Sequence, residues 1–91
     1  MMFPDYLDGA KVLEYTQRGN FAVTVDPWDD VNPGTAKEIC YVAICQFEGS
    51  NSFNVFWCDE DYHVLQDWLW DSIAECKQIH KETVNAVWFK K

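Results

Sequence analysis

The stretch from Asp59 to Glu82 constrains the fold most. At 100° per residue, Tyr62, Leu65, Leu69, Ile73, Cys76, Ile79 and His80 fall on one broad face, with Ser72 and Thr83 inside it. That is the stripe of a core-facing amphipathic helix. Asp67, Asp71 and Glu75 recur at i, i+4 and i+8 on the opposite side, and Glu82 rejoins them two turns on. The run Asp59-Glu60-Asp61 falls at the expected helix N-terminus, where carboxylates cap free N–H groups and meet the positive end of the dipole. The pattern predicts a long helix over about residues 60–83, apolar on one face and acidic on the other.

The rest of the chain supplies strands. Ile39 to Phe47 is apolar at both alternating sets of positions, the signature of a central strand covered on both faces. A turn at Gly49-Ser50-Asn51-Ser52 returns the chain as Phe53 to Cys58. A four-residue turn places Phe47 opposite Asn54, Cys45 opposite Phe56 and Ile44 opposite Trp57. Phe56 and Cys58 then share a face with Cys45 and Phe47, while Phe53, Val55 and Trp57 share the other with Val42 and Ile44. Phe21 to Val25 alternates and reads as a further strand, and Ala86 to Phe89 as an edge strand or contact tail.

Near the N-terminus, Asp8 can cap a short helix over Ala10 to Arg18 that ends at Gly19. The Ala, Lys, Leu, Glu, Gln and Arg content favours that reading. The competing reading makes Val12 to Thr16 a strand that turns at Gly19-Asn20. The expectation is one α+β domain spanning residues 1–91: an antiparallel sheet of three to four strands packed by one long amphipathic helix, with a short N-terminal helix. The long helix covers one sheet face. The N-terminal helix or a second subunit covers the other, so a homodimer is expected.

Charge narrows the function. The net charge is −8, and from Phe21 to Cys76 eleven acidic residues face a single basic one, Lys37. Such a field repels nucleic acid and anionic membrane and attracts basic protein surfaces. No apolar run is long enough to span a membrane. The start, Met1-Met2-Phe3-Pro4-Asp5, lacks the basic and apolar regions of a signal peptide, so a cytoplasmic protein with reduced cysteines is expected. The loop from Asp26 to Lys37 carries Asp26, Asp29 and Asp30, a Pro-Gly turn and Trp28, which is either a packed anchor or a contact aromatic.

Signatures of chemistry are missing from the sequence. Cys58-x₄-His63 and Cys76-x₃-His80 imitate zinc spacing, but on the expected helix His63 points away from Cys76 and His80. Buried thiols and a hydrogen-bonded core histidine are expected instead. Asp59-Glu60-Asp61 lacks the glycine and terminal glutamate of a calcium loop. With no nucleophile motif and no phosphate-cradling glycine loop, the chain is expected to be no enzyme and to take no cofactor or metal. The residues expected to meet a partner are the carboxylates Asp26, Asp29, Asp30, Asp59, Glu60, Asp61, Asp67, Asp71, Glu75 and Glu82. Trp70, off the apolar face beside Gln66 and Lys77, is the candidate contact aromatic.

On the expected helix the acids would stand one per roughly 6 Å of rise. Duplex DNA is denser, with about one charge per 1.7 Å of axis. A dimer would double the row. In size, acidity, tryptophan content and N-terminal character the whole chain resembles the DNA-mimicking phage anti-restriction proteins of the Arn type. The resemblance carries over no individual site residue. It implies a homodimer in the host-cell cytoplasm whose carboxylates imitate duplex phosphates. It also implies inhibition of a restriction endonuclease or a nucleoid protein by competition with DNA. An immunity-type inhibitor of a toxin nuclease, or an adaptor with an aromatic interface, is the alternative.

Overall fold

The structure, a computed structural model, describes residues 3–25 and 36–91. Its frame is one curled antiparallel sheet in the order β1 (Tyr6–Leu7), β2 (Ala10–Thr16), β5 (Tyr41–Gln46), β6 (Phe53–Cys58), β7 (Val64–Trp70). A last strand, β8 (Trp88–Lys90), pairs with the C-terminal half of β2. β3 (Ala22–Val25) and β4 (Ala36–Ile39) form a separate two-stranded sheet, and α1 (Ile73–Gln78) is the one α-helix among the described residues. The expected α+β architecture is therefore corrected to a mostly β fold.

No helix runs over 60–83. Its first half is β7, in which Gln66, Trp68 and Trp70 lie on one face and Asp67 and Leu69 on the other. β6 explains the choice. Val55, Phe56, Trp57 and Cys58 are all buried, and a strand enclosed on both faces needs its outer N–H and C=O groups paired. β7 pairs them from Phe53↔Trp70 to Cys58↔Val64, with a bulge at Leu65. Large aromatics also suit a pleated surface. The supposed stripe is thus divided: Leu65 and Cys76 are buried on one face of the sheet, Tyr62 packs on the other, and Leu69 and Ile79 are exposed.

The short N-terminal helix is likewise a strand, β2, because β5 needs a partner on its second edge and takes one from Lys11↔Gln46 to Tyr15↔Ala43. Asp8 does not cap a helix. Asp8 and Gly9 have φ values of 49° and 86° and form the two-residue loop of the β1–β2 hairpin. Positive φ at both positions is what the tight hairpin turn requires. A bulge at Leu13 then shifts the alternation. Ala10 and Val12 lie on the same face as Tyr15, which frees Glu14 and Thr16 for the other.

β5 is the central strand but is shorter than the expected Ile39–Phe47, because Ile39 ends β4 and packs with Val42 and Ile44. The β5–β6 hairpin pairs Cys45 with Asn54 and Ala43 with Phe56. The expected pairing, Cys45 with Phe56, is two residues away. A slip of two preserves which residues share a face, so both expected face assignments hold. One face gathers Phe3, Leu7, Ala10, Val12, Ala43, Cys45, Phe56 and Cys58. The other buries Ile39, Val42, Ile44, Val55, Trp57 and Leu65 beneath Cys76 and Ile73 of α1, with Phe21 and Trp88 packed alongside. The chain's own N-terminal segment covers part of the face for which a helix or second subunit was expected. β3 falls within the segment expected to be a strand, and β8 makes the C-terminal run an edge strand displaced to Trp88–Lys90 from the expected Ala86–Phe89.

Candidate functional site

The sharpest turn of charge is the loop between β6 and β7. Asp59 Oδ1 accepts from the backbone N–H groups of Asp61 and His63, both at 2.9 Å, and His63 Nδ1 donates to Asp59 Oδ2 at 3.1 Å. The Asp59 N–H donates to the His63 carbonyl, closing the loop at its base. Tyr62 sits at φ 67° within it, a region a bulky aromatic seldom occupies. Asp59 therefore orders the loop, and Glu60 and Asp61 stand exposed at its tip.

This loop faces the end of β4. Glu38, Asp59, Glu60 and Asp61 line one cleft of about 210 Å³ with Ala36, Lys37 and Cys40. Burial pushes the Cys40 thiol up, and the neighbouring Glu38 carboxylate pushes it further, whereas Arg18 opposes them. The cleft's lining is net acidic, with four carboxylates against the one ammonium of Lys37. Arg18 Nη2 meets Glu60 Oε2 at 3.2 Å, with both side chains more than half exposed, and this hydrogen bond holds the guanidinium pKa above its usual value. Solvent screens an exposed pair of this kind and leaves it weak, so Arg18 is easily exchanged for another cation.

The structure separates the other expected carboxylates. Asp67 is exposed on β7, on the face opposite Trp68. Asp71 lies in the turn after β7, about 20 Å from the loop at ~3.3 Å per strand residue. Glu75 is tied to the Ser72 N-cap of α1: its N–H donates to Ser72 Oγ at 3.1 Å, and Ser72 Oγ donates to Glu75 Oε1 at 3.2 Å. Glu82 is half-buried in the turn after α1, where its charge raises the His80 pKa against the larger lowering by burial. Asp26, Asp29, Asp30 and Trp28 lie outside the described residues. Trp70 is half-buried, and its indole N–H donates to His80 Nε2 at 2.9 Å. His80 is the hydrogen-bonded core histidine expected, and all four cysteines are buried free thiols.

One ligand atom each of Asp59, Asp61 and His63 lies within 4.8 Å of the others. Both Asp59 oxygens already bond within the loop, so the trio acts as a turn-ordering network. Glu38 and Arg18 were not anticipated. The available signal was positional: Glu38 opens the long stretch without Lys or Arg, directly before the most apolar strand. Comparison with protein-family models, curated proteins and solved structures finds no match.

Proposed function

We propose that this chain is a non-enzymatic acidic inhibitor that occupies the basic, nucleic-acid-binding surface of a protein and competes with the nucleic acid. One observation carries the reading. Glu38, Glu60 and Asp61 converge on one cleft around a loop ordered by Asp59, in a chain of net charge −8. A loop backbone already ordered by Asp59 presents Glu60 and Asp61 to a basic surface at a smaller entropy cost than a flexible loop would. Competition of this kind is also the mode implied by the likeness to anti-restriction proteins.

The geometry favours a focused cluster over a long row, because Asp67, Asp71 and Glu75 do not share a helix face with it. A focused cluster suits insertion into a single basic cleft. The immunity-type reading, in which one nuclease is plugged at its active site, therefore gains over imitation of an extended duplex.

Displacement of a fluorescent DNA duplex from a panel of endonucleases, at low and physiological salt, tests the proposal. The wild-type chain should displace duplex from at least one enzyme, more weakly as salt rises. The variant Glu38→Gln/Glu60→Gln/Asp61→Asn should lose about threefold or more in potency, at roughly 0.2–1 kcal/mol per removed contact. Equal potency of that variant and the wild type would refute the proposal.

A further inference from the structure

Beside the acidic cleft, and joined to it through Arg18, lies an aromatic cup. Phe3, Tyr15, Tyr41, Tyr62, Phe89 and Arg18 line a cleft of about 280 Å³. Buried Phe3 is its hub. Its ring stacks on Tyr15 at 4.5 Å and meets Tyr41 and Tyr62 edge-on at 5.6 and 5.0 Å. Tyr41 and Tyr62 lie 4.9 Å apart, and Phe89 lies 5.6 Å from Tyr15. The left-handed backbone of Tyr62 turns this ring back onto the sheet directly after Glu60 and Asp61.

We propose that this cup receives an arginine side chain of the basic partner, whose guanidinium stacks on the tyrosine rings and takes the Glu60 carboxylate from Arg18. The inference deepens the inhibitor reading and rests on it for the partner's identity. At about 280 Å³ the cup lies at the small end of ligand pockets, a size that accommodates one side chain. Ring faces attract cations within about 6 Å, and the planar guanidinium stacks where an ammonium cannot. The cup's one charged lining residue, Arg18, is already paired with Glu60 of the adjoining acidic cleft, so an anionic occupant would compete with Glu60 whereas a cation joins it. Arg18 lines the cup and already holds the Glu60 carboxylate, so it is the internal cation that the incoming guanidinium displaces.

Titration of the full chain with arginine amide and with lysine amide, read by the tyrosine ring resonances in NMR spectra, tests this. Arginine amide should shift the Tyr41 and Tyr62 rings saturably and bind about fivefold tighter than lysine amide. Arg18→Ala should tighten arginine amide by about threefold, and Glu60→Gln should weaken it by a similar factor. Both substitutions are at exposed side chains, so the fold survives them. Unmoved rings, equal binding of the two amides, or weaker binding by Arg18→Ala would overturn the proposal. The two readings fail separately. Ring shifts without duplex displacement would retain the cup and remove the nucleic-acid reading. Displacement without ring shifts would remove the cup and retain the acidic cleft.

Discussion

Trp70 at the end of β7 donates its indole N–H to Nε2 of His80, across the turn and the short helix that separate them, at 2.9 Å. The acceptor role assigns the imidazole proton to Nδ1 in the neutral ring. Trp57, Trp68 and Trp70 surround that ring at 5.8, 4.8 and 5.7 Å between centroids. A single neutral histidine thus anchors the segment after β7 to the sheet.

Burial lowers the His80 pKa from its ordinary 6.5, with Glu82 opposing. The unfolded chain therefore takes up this proton at a higher pH than the folded one. The stability from neutral His80 is present above pH 6.5 and is lost as pH falls from there through the lowered folded value. In urea unfolding at pH 8 and pH 5, the wild type should lose more stability than His80→Gln. Equal losses would contradict the assignment.

Lys77 on α1 reaches Glu14 of β2 at 2.7 Å, with the Glu14 side chain 9% exposed and the Lys77 side chain 32% exposed. The Lys77 ammonium also lies 5.6 Å from the Trp88 ring centroid. Lys77→Met should destabilise the chain by about 3 kcal/mol, because it leaves a buried carboxylate unpaired. Glu14→Leu/Lys77→Met should restore most of that loss. Denaturant midpoints of the three proteins measure both effects.

Gly9 has φ 86° in the β1–β2 turn, and a Cβ there would meet the Phe47 ring only at 3.7 Å. Backbone conformation is therefore the obstacle, rather than crowding. Gly9→Ala should cost about 1–2 kcal/mol, whereas Asp8→Asn should be close to neutral because asparagine suits the first turn position. Thermal unfolding distinguishes the two.

Burial raises the thiol pKa values, to about 12 for Cys45 and about 11 for Cys76, and raises Cys58 further. In the folded protein at pH 8 these three thiols should resist a disulfide reagent until the chain unfolds. Cys40 borders the open cleft and should react first. Denaturation should release all four, and Cys40→Ser should remove the early phase.

Part of the candidate cleft was legible from charge alone. The cluster Asp59-Glu60-Asp61 and the scarcity of basic residues around it needed no coordinates. The three-dimensional meeting with Glu38 and Arg18 was hidden, because those residues lie 22 and 42 positions from Glu60 and are joined to it only by the sheet. Two local signals went unread: Asp8-Gly9 as a hairpin turn, and Ser72 as an N-cap that starts the helix at residue 73 instead of 60.

By itself the sequence determined the central strand, the faces of the β5–β6 hairpin, the buried thiols and the acidic bias, because each depends on residue type and period alone. The tertiary structure decided whether Ala10–Thr16 and Val64–Trp70 were helix or strand. Both segments could follow either period, but the buried strands β5 and β6 required hydrogen-bonding neighbours at their outer edges. Closing those ladders outweighed local helix preference and placed the acidic loop beside the aromatic cup.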